Sequence, residues 1–264
     1  YNQALEKYNS GALTKLNLLN AEVNLNQDKV NMEEAKIAAK SSKLNMSLIL
    51  GIADESYYIQ ADFIFNYNLN IDDLLKKMNT NNSSIIIAQL NYAIAQDELK
   101  LSKSNFAPTI DLFSSYSYDN IQSETSFISK QNNYGVIAGI NIEIPIFSAN
   151  MKRKNYQNAK INLTSKNHSL EQIKATIKTA LLKAYYSYTE GLKNLELLKT
   201  NLETIEKSAN ISKELYDVGQ ISNLEYRESQ ILLDQAEINY SSKLAATKVQ
   251  EYLIYQLSGQ LKSK

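Results

Sequence analysis

Apolar residues recur every seven positions along two segments, one near each end of the chain. The first stripe of the N-terminal segment consists of Leu16, Val23, Val30, Ile37 and Leu44. A second stripe with the same period begins two residues later, at Leu18, and the two stripes of the C-terminal segment begin at Leu224 and Tyr226. Stripes two residues apart lie roughly 200° apart around a helix, since each residue turns it by about 100°. Each helix is therefore predicted to make apolar contacts on two nearly opposite sides.

Two opposed apolar stripes suit a helix in the wall of a tube, with a neighbouring helix on either side and water inside and outside. A helix in an ordinary bundle shows one apolar face. A long coiled coil with an additional apolar stripe has the same periodicity, so the pattern by itself leaves both interpretations open.

The chain also contains an internal repeat. The segment 8–16, YNSGALTKL, reads like the segment 216–224, YDVGQISNL, and this offset of 208 continues without a gap to Gly51 and Gly259. Because the apolar stripes agree at the same offset, the repeat predicts two related helices, each preceded by a turn that contains Gly.

The remaining helices follow from the scarcity of Pro and Gly. Residues 149–216 contain no Pro and only Gly191, which predicts one helix of roughly 100 Å at about 1.5 Å per residue. A returning helix is predicted at 221–258 and shorter helices at 13–50, 71–78 and 82–105, of which 13–50 and 82–105 together match the long helix in length. The intervening aromatic residues predict a small packed belt, and they are Tyr57, Tyr58, Phe63, Phe65 and Tyr67.

Residues 107–148 change to a period of two, which predicts a β-hairpin with one apolar and one polar face. Phe113 is an exception on the polar face, and the polar segment 120–133 is predicted to join the strands. This alternation is typical of strands that span lipid, although a soluble hairpin packed on a core would share it. The residues predicted to face lipid are Ile110, Leu112, Tyr116, Tyr118, Val136, Ile140, Ile142 and Ile144.

Charge and chemistry narrow the function. The chain has 28 basic and 28 acidic residues. It therefore has no net positive charge that would favour a nucleic-acid partner. It has no Cys and one His, His168, and it lacks a glycine-rich phosphate loop and a metal-spaced cluster. We therefore expect no enzymatic activity, with no catalytic residue, no cofactor and no metal site. The sequence contains no run of about 18 apolar residues, so no transmembrane helix is predicted.

Several short motifs, in their order and spacing, resemble the TolC-like outer-membrane efflux proteins. FAPTI at 106–110 resembles the entry into the barrel of that family, and IPIF at 144–147 resembles the return into its long helix. YDVG at 216–219 resembles its periplasmic helix tip, and Leu50-Gly51 and Ser258-Gly259 resemble the ends of its returning helices. The resemblance extends over essentially the whole chain.

The resemblance implies a mainly α fold with a β-hairpin. In the architecture that the resemblance implies, three protomers form an α-helical barrel, or tunnel, that continues into an outer-membrane β-barrel. The family has two tandem repeats and four strands per protomer, whereas this sequence supplies one hairpin, so the first repeat is expected to be incomplete and the chain N-terminally truncated. The expected layout is 1–51 for the tip and returning helix of the first repeat, 52–81 for an equatorial segment, 82–106 for a tunnel helix, 107–148 for the barrel hairpin and 149–264 for the long helical hairpin.

The implied function is an exit duct of a tripartite efflux pump or type I secretion system, a passive conduit opened by its partners. Its expected location is the outer membrane of a Gram-negative bacterium, with the helical part in the periplasm. The implied partners are two further copies in a homotrimer, a periplasmic adaptor, an inner-membrane transporter and outer-membrane lipid. The alternative is a soluble, extended coiled-coil interaction protein.

The resemblance also implies two sets of functional residues. The helix tips would dock the adaptor, through Ser10, Gly11, Ala12, Val218, Gly219 and Gln220. The closed entrance would be narrowed by a periplasmic gate of Glu225 and Glu228, with Tyr216 and Arg227 as latch contacts. The first copy has Asn17 and Asn20 where the second has the two glutamates. Solvated charges on a helix surface remain the alternative for Glu225 and Glu228.

Overall fold

The computed structural model describes residues 1–52, 63–122 and 130–261 of the chain. Helices and one antiparallel hairpin make up these residues. The elements in order are α1 (Asn2–Asn9), α2 (Lys15–Leu50), α3 (Ile71–Asn81), α4 (Ser83–Ser104), β1 (Thr109–Gln122), β2 (Lys130–Glu143), α5 (Met151–Asp217) and α6 (Asn223–Leu257). The predicted mainly α fold with a β-hairpin is therefore confirmed.

The chain divides into two compact units. Unit 1 contains residues 1–67 and 186–251, and unit 2 contains residues 68–185 together with the chain from 252 onward. Unit 1 thus holds both turns of the internal repeat, and unit 2 holds the hairpin.

The helices α2 and α6 begin two residues later than predicted because a hydroxyl caps each of them. Thr14 Oγ1 accepts a hydrogen bond of 3.3 Å from the Asn17 amide, and Ser222 Oγ accepts one of 3.2 Å from the Glu225 amide. A side-chain oxygen in this position satisfies an amide that the helix leaves unpaired at its first turn. The residues before it, predicted as helix at 13 and 221, remain outside.

The two copies of the repeat end their helices in the same way. Gly11 and Gly219 have φ angles of +78° and +77°, which is left-handed backbone that Gly adopts without steric cost. The amide of Ala12 donates to the Lys7 carbonyl, and the amide of Gln220 donates to the Leu215 carbonyl, both at 2.8 Å. These are the bonds of a Schellman motif, formed twice at an offset of 208.

One of the two apolar stripes of α6 packs within the chain, and the other is exposed. In the stripe that begins at Tyr226, Thr247 and Ile254 are fully buried. In the stripe that begins at Leu224, by contrast, Leu224, Ile231 and Ile238 are 67%, 50% and 59% exposed. The corresponding stripe of α2, from Leu16 to Leu44, is also exposed along its length, by 47% to 69%.

The core of unit 2 is centred on the junction of α3 and α4, where α6 ends. Leu74 and Met78 of α3 and Ile85 of α4 are buried. Asn82 caps α4 by accepting from the Ser84 and Ile85 amides, and its side-chain amide donates to the Leu257 carbonyl at 2.8 Å. This one side chain therefore starts α4 and holds the end of α6.

The aromatic belt predicted between the helices is present in part. Phe65 packs against Tyr188, with ring centroids 6.4 Å apart, and the Tyr188 hydroxyl donates to the Asn66 carbonyl at 2.9 Å. The buried Glu251 forms a salt bridge with Lys248, with 2.8 Å between the carboxylate oxygen and the ammonium nitrogen. Phe63 and Tyr67 are exposed, and the predicted members Tyr57 and Tyr58 lie outside the described residues.

The hairpin has longer strands at its turn than the side-chain pattern predicts. Asn120 pairs with Asn132 and Gln122 pairs with Lys130, so both ends of the predicted loop at 120–133 belong to the ladder. Of the residues in the three pairs 120–122 with 130–132, only Ile121 is apolar, so the ladder continues beyond the apolar alternation. At the other end β2 stops at Glu143, two residues before Pro145, which has no amide to donate.

Phe113 shares the polar face with two further apolar residues, Ile121 and Ile137, and it has a local explanation. It pairs directly with Gly139, and a Cβ at Gly139 would lie 2.7 Å from the end of the Phe113 ring. The ring therefore covers the bare backbone of the glycine across the ladder, an arrangement that compensates for a glycine in a strand.

Candidate functional site

The two helix tips of unit 1 expose the residues predicted to dock an adaptor. Gly11 and Gly219 lie at the turns, and the six predicted residues, 10–12 and 218–220, are all exposed. Val218 is 70% exposed, so an apolar side chain stands in solvent at the second tip. The structure leaves these residues accessible to a partner.

A groove of about 660 Å³ lies between the tips within unit 1. Its lining includes Tyr216 and Arg227 of the predicted gate, together with Ala12, Val218 and Gly219 of the predicted docking residues. Asn17 and Asn20 of the first copy line it as well, whereas Glu225 and Glu228 do not. The structure therefore brings the proposed latch residues together with the tips and places the two glutamates elsewhere on α6.

Tyr216 connects the two tips. It is 4% exposed, and its ring stacks on that of Tyr226, with centroids 4.8 Å apart and an angle of 11° between the planes. Lys7 of α1 places its ammonium 3.9 Å from the centroid of the Tyr216 ring and donates to the Tyr216 carbonyl at 2.6 Å. Burial raises the pKa of Tyr216 above its ordinary value of 10.0, and repulsion from Tyr226 and Asp217 raises it further.

Arg227 makes the second connection between the repeats. Its guanidinium donates to the Asp28 carboxylate of α2 at 2.6 Å. The Arg227 side chain is mostly buried, whereas that of Asp28 is about half exposed, so solvent partly screens this pair. Together with Lys7 and Tyr216, it links the first helical hairpin to the second.

Glu225 has a structural partner of its own. Its carboxylate accepts a hydrogen bond of 2.7 Å from the Ser222 amide, while Ser222 Oγ accepts from the Glu225 amide. This reciprocal arrangement is a capping box. The hydrogen bonds from the Ser222 amide and then from its hydroxyl lower the pKa of Glu225 below its ordinary value of 4.5. Glu228 is exposed one turn further along α6.

Sequence reasoning missed three of these contributors. Ser222 could have been recognised, because Ser followed three residues later by Glu is the sequence signature of a capping box. Lys7 and Asp28 carry no such signal, since their partners lie 209 and 199 residues away.

The hairpin presents the residues predicted to face lipid on one exposed side. Leu112 pairs with Ile140, and Tyr116 pairs with Val136, so the apolar positions of both strands coincide. The eight predicted side chains are between 57% and 82% exposed. Ile144 follows the last residue of β2 and is therefore outside the ladder.

None of the helices in the described residues has the length and apolar character needed to cross a membrane. No group of three or more His, Cys, Asp or Glu side chains in this part of the chain lies close enough to hold a metal ion. His168 is exposed on α5.

Comparisons with solved structures show a shared fold. The open state of the MtrE outer-membrane channel of Neisseria gonorrhoeae matches 99% of this chain with a TM-score of 0.77 at 16% identity. The CmeC channel of Campylobacter jejuni matches 98% with a TM-score of 0.75 at 19% identity. VceC of Vibrio cholerae matches 98% with a TM-score of 0.79 at 13% identity. The chain spans 61%, 56% and 61% of these three proteins, respectively.

The sequence itself matches a family. A comparison with curated proteins found no match. Residues 74–260, more than half of the chain, match the model of the family described as outer membrane efflux protein. Because this match and the shared fold agree, the chain belongs to the outer membrane efflux protein family.

Proposed function

We propose that this chain forms part of a homotrimeric exit duct in the outer membrane, serving a tripartite efflux pump or a type I secretion system. Substrates pass through it passively after a periplasmic adaptor and an inner-membrane transporter open it. The observation that carries this proposal is the exposed apolar stripe of period seven on α6, which lies opposite the stripe that packs within the chain, together with the corresponding exposed stripe on α2.

The exposed stripe supports assembly with further copies. Leu224, Ile231 and Ile238 stand in solvent along α6. Fully burying a side chain of this size contributes about 1.5–3 kcal/mol, so a neighbouring helix along this line would be favoured. Because the repeat carries the same stripe on α2, each copy has two such edges. A closed ring of copies covers all of them.

The hairpin supports a location in the membrane. One of its faces is apolar and exposed, and the opposite face carries Asp111, Ser115, Ser117 and Asp119. A strand in the wall of a membrane barrel needs this combination, because lipid lies on one side and water on the other. In the proposed layout, 107–148 belongs to the barrel, 1–51, 82–106 and 149–264 belong to the tunnel, and 52–81 lies at its equator.

The gate is proposed at the start of α6. With threefold symmetry, Glu225 and Glu228 would place six carboxylates around one axis, and their mutual repulsion would be relieved by bound cations, by protonation or by opening. Tyr216 and Arg227 would hold the closed state through Lys7 and Asp28. The exposed tips and the groove between them would receive the adaptor.

Planar bilayer conductance of the full-length protein tests the gate. We expect Glu225→Gln/Glu228→Gln to raise the conductance of the closed channel and to weaken its block by Mg²⁺, because the carboxylate ring is removed. Gln is chosen because it can retain the capping box with Ser222, whereas Ala would also disturb the start of α6. The matched control is Glu203→Gln/Glu206→Gln, which removes two exposed charges three residues apart on α5.

Three results would decide between the proposals. Unchanged block in Glu225→Gln/Glu228→Gln, or an equal change in the control, would exclude the gate assignment. Failure of the purified protein to form channels at all would count against the duct itself. A full-length protein that stays soluble without detergent would favour the extended coiled-coil alternative.

A further inference from the structure

Basic residues are concentrated at the base of the hairpin, although the chain as a whole has no net charge. Between Glu143 and Glu171 the sequence contains no acidic residue, and its basic residues begin with Lys152, Arg153 and Lys154. On the other side of the hairpin, no acidic residue lies between Glu98 and Asp111. The charge of this region is therefore positive on both chain segments that enter the hairpin.

Two contacts hold these segments together in unit 2. The Lys152 ammonium donates to the Asn105 carbonyl at 2.7 Å. Phe106 packs edge to face on Tyr156, with centroids 6.5 Å apart and planes at 79°. The end of α4 and the start of α5 are thus fixed side by side. We call Lys103, Lys152, Arg153 and Lys154 the basic collar.

The exposed cations of the basic collar have no carboxylate partner among the residues that the structure describes. Lys103, Arg153 and Lys154 are exposed, and none of them forms a salt bridge with a carboxylate in residues 1–52, 63–122 or 130–261. Three cations in the first turn of α5 also oppose the helix dipole, which favours negative charge at that end. Helix stability therefore does not account for their position.

An exposed apolar segment separates the basic collar from the strands. Ile146 is 94% exposed and Phe147 is 86% exposed, and Phe106 of the other segment is half exposed. Along the chain, the apolar face of the hairpin is thus followed by an aromatic side chain and then by the exposed cations Arg153 and Lys154. Membrane proteins show this order where hydrocarbon gives way to headgroups, with aromatic rings at the boundary and Lys or Arg beyond it.

We infer that the basic collar binds the phosphodiester headgroups of anionic glycerophospholipids on the membrane surface that faces the helices. This inference rests on the proposed function, because it requires the hairpin to lie in a bilayer. Phosphate is the complementary ligand for exposed Lys and Arg side chains, and both can extend along an apolar surface to reach it. Each basic residue near an anionic surface contributes about a fivefold preference at low salt.

Incorporation into vesicles tests the inference. Full-length protein in detergent would be reconstituted into vesicles of phosphatidylcholine alone or with 30% phosphatidylglycerol, and the incorporated fraction measured by flotation. We expect the wild type to prefer the anionic vesicles. Arg153→Gln/Lys154→Gln should reduce this preference by about 25-fold, since it removes two charges that contribute about fivefold each. Lys207→Gln/Lys213→Gln, which removes two exposed charges far along α5, should leave it unchanged.

The outcomes separate the inference from the function on which it rests. Lipid binding by the basic collar would be excluded if the wild type entered both vesicles equally, or if Arg153→Gln/Lys154→Gln kept the preference. Membrane insertion would still be supported by either result. Incorporation into neither vesicle would overturn both. Loss of the preference in 10 mM inorganic phosphate at constant ionic strength would assign the charges to free phosphate and exclude the lipid headgroup. Circular dichroism would confirm that each variant is folded.

Discussion

Gly51 and Gly259 occupy equivalent positions at the ends of α2 and α6 but have different surroundings. Both have left-handed backbone, with φ angles of +67° and +70°. A Cβ at Gly51 would meet no atom within 4 Å, whereas a Cβ at Gly259 would lie 2.5 Å from the backbone carbonyl of Asn81. The turn requires glycine at both positions, and the close approach of α3 requires it again at Gly259.

We predict that Gly259→Ala is much more destabilising than Gly51→Ala. Left-handed backbone costs a residue with a Cβ about 1–2 kcal/mol at either position. At Gly259 the collision with Asn81 adds about 1–3 kcal/mol, because backbone has to move. Urea unfolding followed by circular dichroism measures both variants, with Gly51→Ala as the matched control. Equal losses in the two variants would show that α6 does not pack on α3 as closely as the structure indicates.

At the scale of the element, the caps of α6 and α2 differ in their chemistry. Both helices have a hydroxyl cap, Thr14 or Ser222, but only the second cap includes a titratable partner, Glu225. The lowered pKa of Glu225 means that the folded state holds its carboxylate form more strongly than the unfolded state does. Its stabilising contribution is therefore present above pH 4.5 and lost as the pH falls through the lowered pKa.

We predict that Glu225→Gln lowers stability at pH 7 and has a smaller effect at pH 3. At pH 7 the substitution removes a charged acceptor from the Ser222 amide, whereas in acid the wild-type carboxyl is itself becoming neutral. Urea midpoints at the two pH values measure the change. Asn17→Gln is the control, because it alters the equivalent position of α2 without a titratable group. An effect of Glu225→Gln that is the same at both pH values would contradict this account.

The hairpin shows how a local exception can be part of the same element. Phe113 breaks the polar alternation of β1, yet its ring lies over Gly139 of β2. The alternation indicates which face of the hairpin is polar. Phe113 departs from it because its ring fills the space left by the missing side chain of Gly139. Both follow from the direct pairing of residues across an antiparallel ladder.

At the scale of the whole molecule, the stripes of α2 and α6 leave apolar side chains exposed to solvent. One stripe of α6 packs within the chain, and the other has no cover among the described residues. In the proposed trimer, each exposed stripe would meet a helix of the next copy.

We predict that Ile238→Glu prevents assembly of the full-length protein in detergent. The substitution removes about 1.5–3 kcal/mol of apolar burial at each contact and places a charge there instead. Light scattering coupled to gel filtration should give the mass of three copies for the wild type and of one copy for the variant. Ala246→Glu, an exposed position off both stripes, should leave the mass unchanged. A trimeric Ile238→Glu protein would exclude the stripe as the subunit contact.

The sequence by itself determined the features that arise from local backbone geometry. Periods of seven and two, scarce breakers and repeated glycine turns predicted the helices, the hairpin and the repeat. The shifts at Thr14, Ser222 and Glu143 came from hydrogen bonds at element ends, which side-chain periodicity does not report. The sequence also predicted which residues form the gate and the docking tips. The roles of these residues stay predictions.

Only the tertiary structure decided which distant residues meet. Tyr216 contacts Lys7, and Arg227 pairs with Asp28, because unit 1 brings together segments about 200 residues apart. The same is true of the difference between Gly51 and Gly259, and of which stripe of α6 is buried. A periodic pattern states that a face is apolar, but the partner of that face depends on how separate elements pack, and no local rule of chain geometry contains that information.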